Sequence, residues 1–315
     1  MITIAVTGCR NGDQSEQYET PVDYAPKMVA PGIISTAHFE GHATINPDGS
    51  EIYFVIYTND HSYSTIAHSK RTLSGKWSPP EIASFSGKYS DGSPALSPDG
   101  QKLFFSSNRP LNDSMVANSS NDLWVVERSL NGDWGAPKWL GEKVNSPYFE
   151  FSPSVDKDGN LYFCSNKPGG FGDMDIYSSP LSPDGYQDAI LLDSAVNSEY
   201  HEGNVGVSPD GKLLFLMRQH YPGDLGYDDI HYSIKQNESW TYAKNIGPII
   251  NTYSYDFSPK VSPDGSMLFF TSRLNRNYQS AERYSYTSYS QMLNSPLNGL
   301  GNIYQINLSE LNLAK

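Results

Sequence analysis

Cysteine is nearly absent, with Cys9 and Cys164 the only two among 315 residues. Two thiols cannot build a disulfide framework, and neither sits in a zinc-type spacing. Long apolar runs are also missing. No stretch approaches the 18 or so apolar residues of a membrane-crossing helix, and mean hydropathy is −0.51. Basic residues are few, with 22 Lys and Arg against 35 Asp and Glu, for a formal charge of −13. Phosphate backbones need a basic footprint, so this balance argues against a nucleic-acid partner. What the chain has in abundance is tyrosine, 22 residues against 13 Phe and 5 Trp, together with 26 Gly and 21 Pro. Tyrosine suits β-strands and wet binding surfaces, and Gly with Pro punctuates frequent turns.

Self-similarity organises the rest. Asn46-Pro-Asp-Gly49, Ser97-Pro-Asp-Gly100, Asp156-Lys-Asp-Gly159, Ser208-Pro-Asp-Gly211 and Ser262-Pro-Asp-Gly265 place an aspartate at 48, 99, 158, 210 and 264, at intervals of 51, 59, 52 and 54 residues. That period fits four-stranded propeller blades. A short strand precedes each turn. A near-continuous apolar strand follows it, such as Ile52-Tyr-Phe-Val55 or Leu213-Leu-Phe-Leu216, as burial on both faces requires. Third strands begin at Thr65, Asp122, Asp175, Asp229 and Asn302, and softer fourth strands follow in four repeats. The fifth repeat has no fourth strand of its own. Ala25-Pro-Lys-Met-Val29 resembles Ala136-Pro-Lys-Trp-Leu140, so the N-terminal strand is expected to complete the last blade and leave no open edge. The fold read from the sequence is all-β: a five-bladed β-propeller of four-stranded antiparallel blades, one domain over residues 22–315.

The repeats resemble the TolB-like β-propeller repeat family. The matching pattern runs from Ser93 to Arg109 and from Ser258 to Arg273. The stretch from Phe151 to Tyr177, with Leu161-Tyr-Phe-Cys-Ser-Asn-Lys-Pro-Gly-Gly inside it, is similar to propellers of bacterial envelope proteins found beside OmpA-like domains. The resemblance covers nearly the whole chain, and it implies an envelope protein. Val6-Thr7-Gly8-Cys9 resembles a bacterial lipobox, although no Lys or Arg precedes it. That resemblance implies lipidation at Cys9, residues 1–21 as leader and polar tether, and an exported protein, periplasmic or anchored to the outer membrane by lipid alone.

Propeller geometry then sorts candidate residues. One acid precedes each first strand: Glu40, Asp91, Glu150, Glu202 and Asp256. Five carboxylates are therefore expected to converge at one channel mouth. Such charges repel one another and resist burial. Arg109, Lys167, Arg218 and Arg273 at second-strand ends are the expected counter-charges, and blade 1 has none. His38 and His42 flank Glu40, and His201 precedes Glu202. On an extended strand His38 and His42 share a side, which makes His38, His42 and His201 the candidate ligands if a divalent metal is bound. Otherwise no cofactor is implied. Asp122, Asp175, Asp229 and Asn302 read as shared loop ties, Gly169-Gly-Phe-Gly as a turn, and Cys164 as an inert core thiol. The insertion at 274–301 carries Tyr278, Arg283, Tyr284, Tyr286 and Tyr289. A loop of that length is usually functional or disordered, and this one is expected over the same mouth, with Tyr284 and Tyr286 as ligand contacts.

Two functions follow. The first is a monomeric, non-catalytic binding or scaffold propeller of the envelope, taking a protein or glycan partner at the channel face; the lack of a nucleophile–base motif supports it. The second is a carbohydrate-active enzyme, glycosidase or lyase, using mouth carboxylates and histidines, with Glu40, Glu150 and Glu202 as candidate acids.

Overall fold

A computed structural model describes residues 26–112, 117–274 and 283–313. Cys9, the tether and Tyr278 lie outside the described residues. The described residues form a propeller of five antiparallel sheets, each with the four strands of a blade; blade 4 adds a short fifth strand, Ser239–Trp240, and Leu181–Ser182 pairs with Gly185–Tyr186 in a separate ribbon. Blade 1 contains Phe39–Ile45, Glu51–Tyr57, Ser64–Lys70 and Glu81–Ile82. Blade 2 contains Asp91–Leu96, Lys102–Ser107, Asp122–Glu127 and Lys138–Trp139. Blade 3 contains Glu150–Val155, Leu161–Ser165, Asp175–Ser179 and Ile190–Leu191. Blade 4 contains His201–Val207, Leu213–Gln219, Asp228–Gln236 and Lys244–Asn245. Blade 5 contains Asp256–Val261, Met267–Ser272 and Asn302–Asn307. Its fourth strand is Lys27–Met28, with Lys27 opposite Gln305 and Met28 opposite Tyr304. The ring closes as the sequence expects.

The repeated turns explain their own composition. Gly49, Gly100, Gly159, Gly211 and Gly265 all adopt φ between 69° and 85°, a region that disfavours side chains. The Asp of the turn accepts the backbone N–H two residues on, as Asp99 does from Gln101, an Asx-type closure. Blade 3, which has Asp156 where the others have Ser or Asn, reaches the same end through Asp156, which accepts from the N–H groups of Asp158 and Asn160.

The core is divided into five clusters, one between each pair of neighbouring blades. Tyr53, Val55, Leu103 and Phe105 lie between blades 1 and 2. Cys164, Ile176, Val205 and Leu214 lie between blades 3 and 4, and Cys164 is fully enclosed. The seam between blades 5 and 1 is packed like the rest, by Val29, Ile34, Phe54, Phe269 and Ile303.

Each first strand carries an irregularity that shapes the channel. Pairing with the second strand slips after the residue that follows the acid, for example between Gly41 and Thr44. At the slipped position His42, Ser93, Ser152, Asn204 and Ser258 take φ between 50° and 55°. Such bulges re-aim side chains.

Candidate functional site at the channel mouth

The five repeat carboxylates are enclosed. Glu40 is 1% exposed, and Asp91, Glu150, Glu202 and Asp256 are completely buried. In four blades a hydroxyl four residues upstream donates to the acid: Thr36 to Glu40, Ser146 to Glu150, Ser198 to Glu202 and Thr252 to Asp256. The N–H of that same residue donates as well. In blade 2, Ser86 donates to Asp91 at 2.7 Å. Each acid thus ties the turn before its own strand. This corrects the expected convergent ring of carboxylates: apart from Asp256 Oδ1, which has no hydrogen-bond partner among the described residues, their oxygens are hydrogen-bonded inside the blades, so Glu40, Glu150 and Glu202 are not placed as exposed acids of a channel site. Burial raises the carboxyl pKa of Glu150 and Glu202, brings Asp256 to about 6, and brings Glu40, which has no ion-pair partner among the described residues, to about 7.

The expected counter-charges are partly present. Arg109 meets Asp91 at 2.7 Å and Arg218 meets Glu202 at 3.1 Å. Lys167 lies over the Tyr177 ring instead, 4.1 Å from its centre. Arg273 does not contact Asp256. Its guanidinium lies 4.7 Å from the Tyr255 ring centre and 5.6 Å from that of Phe39.

The histidines do not cluster. His38 is exposed, whereas His42 is 6% exposed inside the channel, because the strand starts only at Phe39 and the bulge turns His42 inward. His42 bonds to Ser258 at 2.9 Å and to Ser93 at 3.2 Å, and Ser258 donates to Asn204 at 2.7 Å. Burial and the nearby Lys260 charge bring the His42 imidazole down to about 3. Lys260 spans the channel and donates to the carbonyls of Pro153 and Val205 at 2.7 and 2.6 Å. These residues plug the channel across its blades. Among the described residues, no group of three His, Cys, Asp or Glu side chains could hold a metal ion.

Above the plug the mouth is aromatic. Phe257 lies 6.0 Å from the His42 ring and 6.2 Å from Phe39. Tyr57 and His61 pack on Phe39 at 4.9 and 4.7 Å. On the opposite side Phe151 and His201 flank Gly203, where an added Cβ would come within 3.5 and 3.4 Å of them. Tyr227 stacks on Tyr255 at 5.0 Å and meets His220 edge-on at 5.8 Å.

A buried carboxyl lies beside this mouth, bridged through its backbone to Tyr255. Asp228 starts the third strand of blade 4 and is 8% exposed. It accepts from the Gln219 side-chain amide at 3.1 Å. Burial raises its pKa; Gln219 and the charges of His201, His220 and Arg273 oppose that rise. His201 also faces Asp173, 3.6 Å away on the exposed rim. Sequence reasoning passed over Asp228, His61, His220, Phe151 and Phe257. A signal existed for Asp228: its counterparts in the other blades are Ser64, Asn121, Met174 and Gly301, so blade 4 alone carries an acid there.

The neighbouring Asp229 ties its loop, accepting from the N–H groups of Leu225 and Gly226, and Asp175 does the same for Phe171 and Gly172. The long insertion contains a helix, Tyr286–Leu293, with Ser285 and Ser288 forming a capping box. Serine at the cap explains why so polar a segment turns helical. The segment returns beside the mouth, where Asn298 donates to the Ala37 carbonyl at 3.0 Å. Tyr284 packs edge-on against Tyr289 at 5.8 Å, and Tyr286 is 90% exposed.

No model of a known protein family matches the chain, and no curated protein matches it. Solved structures do share its fold. An α-L-arabinofuranosidase from Lactobacillus brevis aligns with a TM-score of 0.54 and 14% identity, over 88% of this chain and 92% of that one. The catalytic domain of a GH62 α-L-arabinofuranosidase from Coprinopsis cinerea aligns at 0.53 and 12%, over 94% and 100%. Other glycoside hydrolases align similarly, among them one of family 43 and one of family 117. A putative TolB from Agrobacterium tumefaciens aligns at 0.47 and 16%, over 86% and 91%. Identities this low establish the fold alone. They nevertheless overturn the first functional expectation, that of a non-catalytic envelope scaffold. Most of these propellers are glycoside hydrolases, so the five-bladed ring gives no ground for preferring a scaffold. The chain is a five-bladed propeller whose structural neighbours include glycoside hydrolases and a TolB-like protein.

Proposed function

We propose that the protein is a carbohydrate-active enzyme that cleaves glycosidic bonds at the aromatic channel mouth. The observation that carries this reading is Asp228, a buried carboxyl with its pKa raised by burial, within reach of the His201 and His220 charges and bridged through its backbone to Tyr255. A general acid for a glycosidic oxygen needs to hold its proton near the working pH. Burial supplies that property here. Aromatic faces offer apolar contact to sugar rings, with a few polar groups fixing orientation. Tyr57, Phe151, Phe257, Tyr227 and Tyr255 supply the first, and His201, His220 and Gln219 the second. The blocked channel makes the mouth a blind site, with Lys260 and His42 beneath its floor. Asp173, 3.6 Å from His201 on the exposed rim, is the second carboxyl of the scheme. The glycoside hydrolases among the fold neighbours support the reading.

The test is a screen of polysaccharides and aryl glycosides for reducing-end release, followed by Asp228→Asn on any substrate found. Loss of the acid costs roughly 10²–10⁴ in rate, while the melting temperature stays near wild type. Because the protonated form acts, the wild-type rate falls as pH rises through the raised Asp228 pKa. An Asp228→Asn enzyme working at the full rate, or no release from any substrate, sinks the proposal.

A further inference from the structure

Three of the four basic residues at second-strand ends have their charge answered locally. Arg109 and Arg218 contact carboxylates, and Lys167 lies within Coulombic reach of Glu150 and Asp188. Arg273 differs. Asp256, the acid of its own blade, takes its hydrogen bonds from Thr252. No ion pair joins Arg273 to any acid among the described residues. The one hydrogen bond of its guanidinium there is a long one, Nε to the Gly299 carbonyl at 3.5 Å. The two Nη groups have no acceptor among those residues.

This guanidinium is held in place. The rings of Tyr255 and Phe39 both lie beneath it, and its backbone N–H is bonded to the Tyr255 carbonyl at 3.0 Å. It is half-buried at the mouth, close enough for its charge to act on both His61 and Asp228. The chain carries a formal charge of −13, yet no acid among the described residues forms an ion pair with this cation, and Asp228 acts on it only at longer, Coulombic range. A stacked guanidinium with free Nη donors is a fork for a planar or tetrahedral anion.

We infer that Arg273 is the subsite for an acidic substituent, so that the substrate is a glycan bearing carboxylate or sulfate groups. This rests on the mouth being a carbohydrate site. The aromatic walls then take the sugar faces, and Arg273 takes the charged group from the blade 5 side, opposite the wall formed by Phe151 and His201.

The test is titration calorimetry on the full chain with three oligosaccharides of equal length: a hexuronate, a sulfated one and a neutral one. The acidic probe of the correct kind binds at least tenfold more tightly than the neutral one, as charge-assisted hydrogen bonds allow. Preference for the hexuronate assigns a carboxylate, and preference for the other a sulfate ester. Arg273→Gln brings the acidic probe down to the neutral one's affinity, and Arg273→Lys, which keeps the charge without the fork, falls between. Equal binding of acidic and neutral probes overturns the inference. So does a folded Arg273→Gln that keeps the preference; if that variant fails to fold, Arg273→Lys carries the test alone. Arg273-dependent binding of acidic probes with no cleavage of any glycan removes the hydrolase reading and leaves the subsite. Cleavage of neutral glycans with no acidic preference does the reverse.

Discussion

Glu40 shows how a repeated residue can behave differently in one blade. Its carboxyl accepts from the Thr36 N–H and hydroxyl, yet it has no ion-pair partner among the described residues, and burial lifts its pKa from 4.5 to about 7. Asp256 rises from 3.8 to about 6 for the same reason. A carboxyl with a raised native pKa keeps its proton in the folded state after the unfolded chain has lost it. Stability therefore falls as pH rises from about 4.5 to about 7. At 1.36 kcal/mol per pKa unit, the full Glu40 shift amounts to about 3 kcal/mol. Urea midpoints at both ends of that window measure the loss. Glu40→Gln removes the Glu40 share, so the variant shows a flatter profile than wild type. An unchanged slope would mean that Glu40 is ionised in the fold.

At the scale of the element, the acid before each first strand closes a short turn, and blades 2 and 4 reinforce it with an arginine. Arg218 and Glu202 have side chains only 4% and 0% exposed, and Arg218 also donates to the Val196 carbonyl at 2.8 Å. Arg218→Met leaves Glu202 buried without its partner. Breaking a buried pair from one side costs about 3–5 kcal/mol, and a chemical melt of the variant should show a loss of that size. A variant as stable as wild type would show that Ser198 alone satisfies the carboxylate. The turn device was legible in the sequence in outline, since the acids and their arginines recur at fixed places. The hydroxyl four residues upstream recurs too, in Thr36, Ser146, Ser198 and Thr252, and it is what takes the acids out of the channel. What could not be read was the bulge at His42 and its equivalents. A proline sits within the slip in blades 2, 3 and 5, as Pro94, Pro153 and Pro259, but none does beside His42, and no glycine marks the position: His, Ser and Asn stand there with positive φ. Period-2 reasoning therefore put His38 and His42 on one side. Nor could a linear pattern bring Asp228, His201 and Arg273 together, since the first two come from blade 4 and the third from blade 5.

For the molecule as a whole, the closure of the ring matters most. Four blades are covalently continuous, but the fifth depends on a two-residue strand from the other end of the chain. The short pairing is backed by packing: Val29 is 4% exposed, Ile34 is fully buried, and the Val29 N–H donates to the Ile303 carbonyl at 2.8 Å. With that strand displaced, Asn302–Asn307 becomes an unpaired edge, a template for association between chains. Val29→Asp puts an unpaired charge into the cluster shared by blades 5 and 1 and costs roughly 2–4 kcal/mol. Because the loss acts at the seam, hydrogen exchange should rise first in Asn302–Asn307, while blades 2 and 3 keep their protection. A global, uniform loss of protection would instead mean that the ring unfolds as one unit, with the seam no weaker than the four covalent joints. The charge placed at position 29 thus measures whether non-covalent closure makes this propeller open at a defined place.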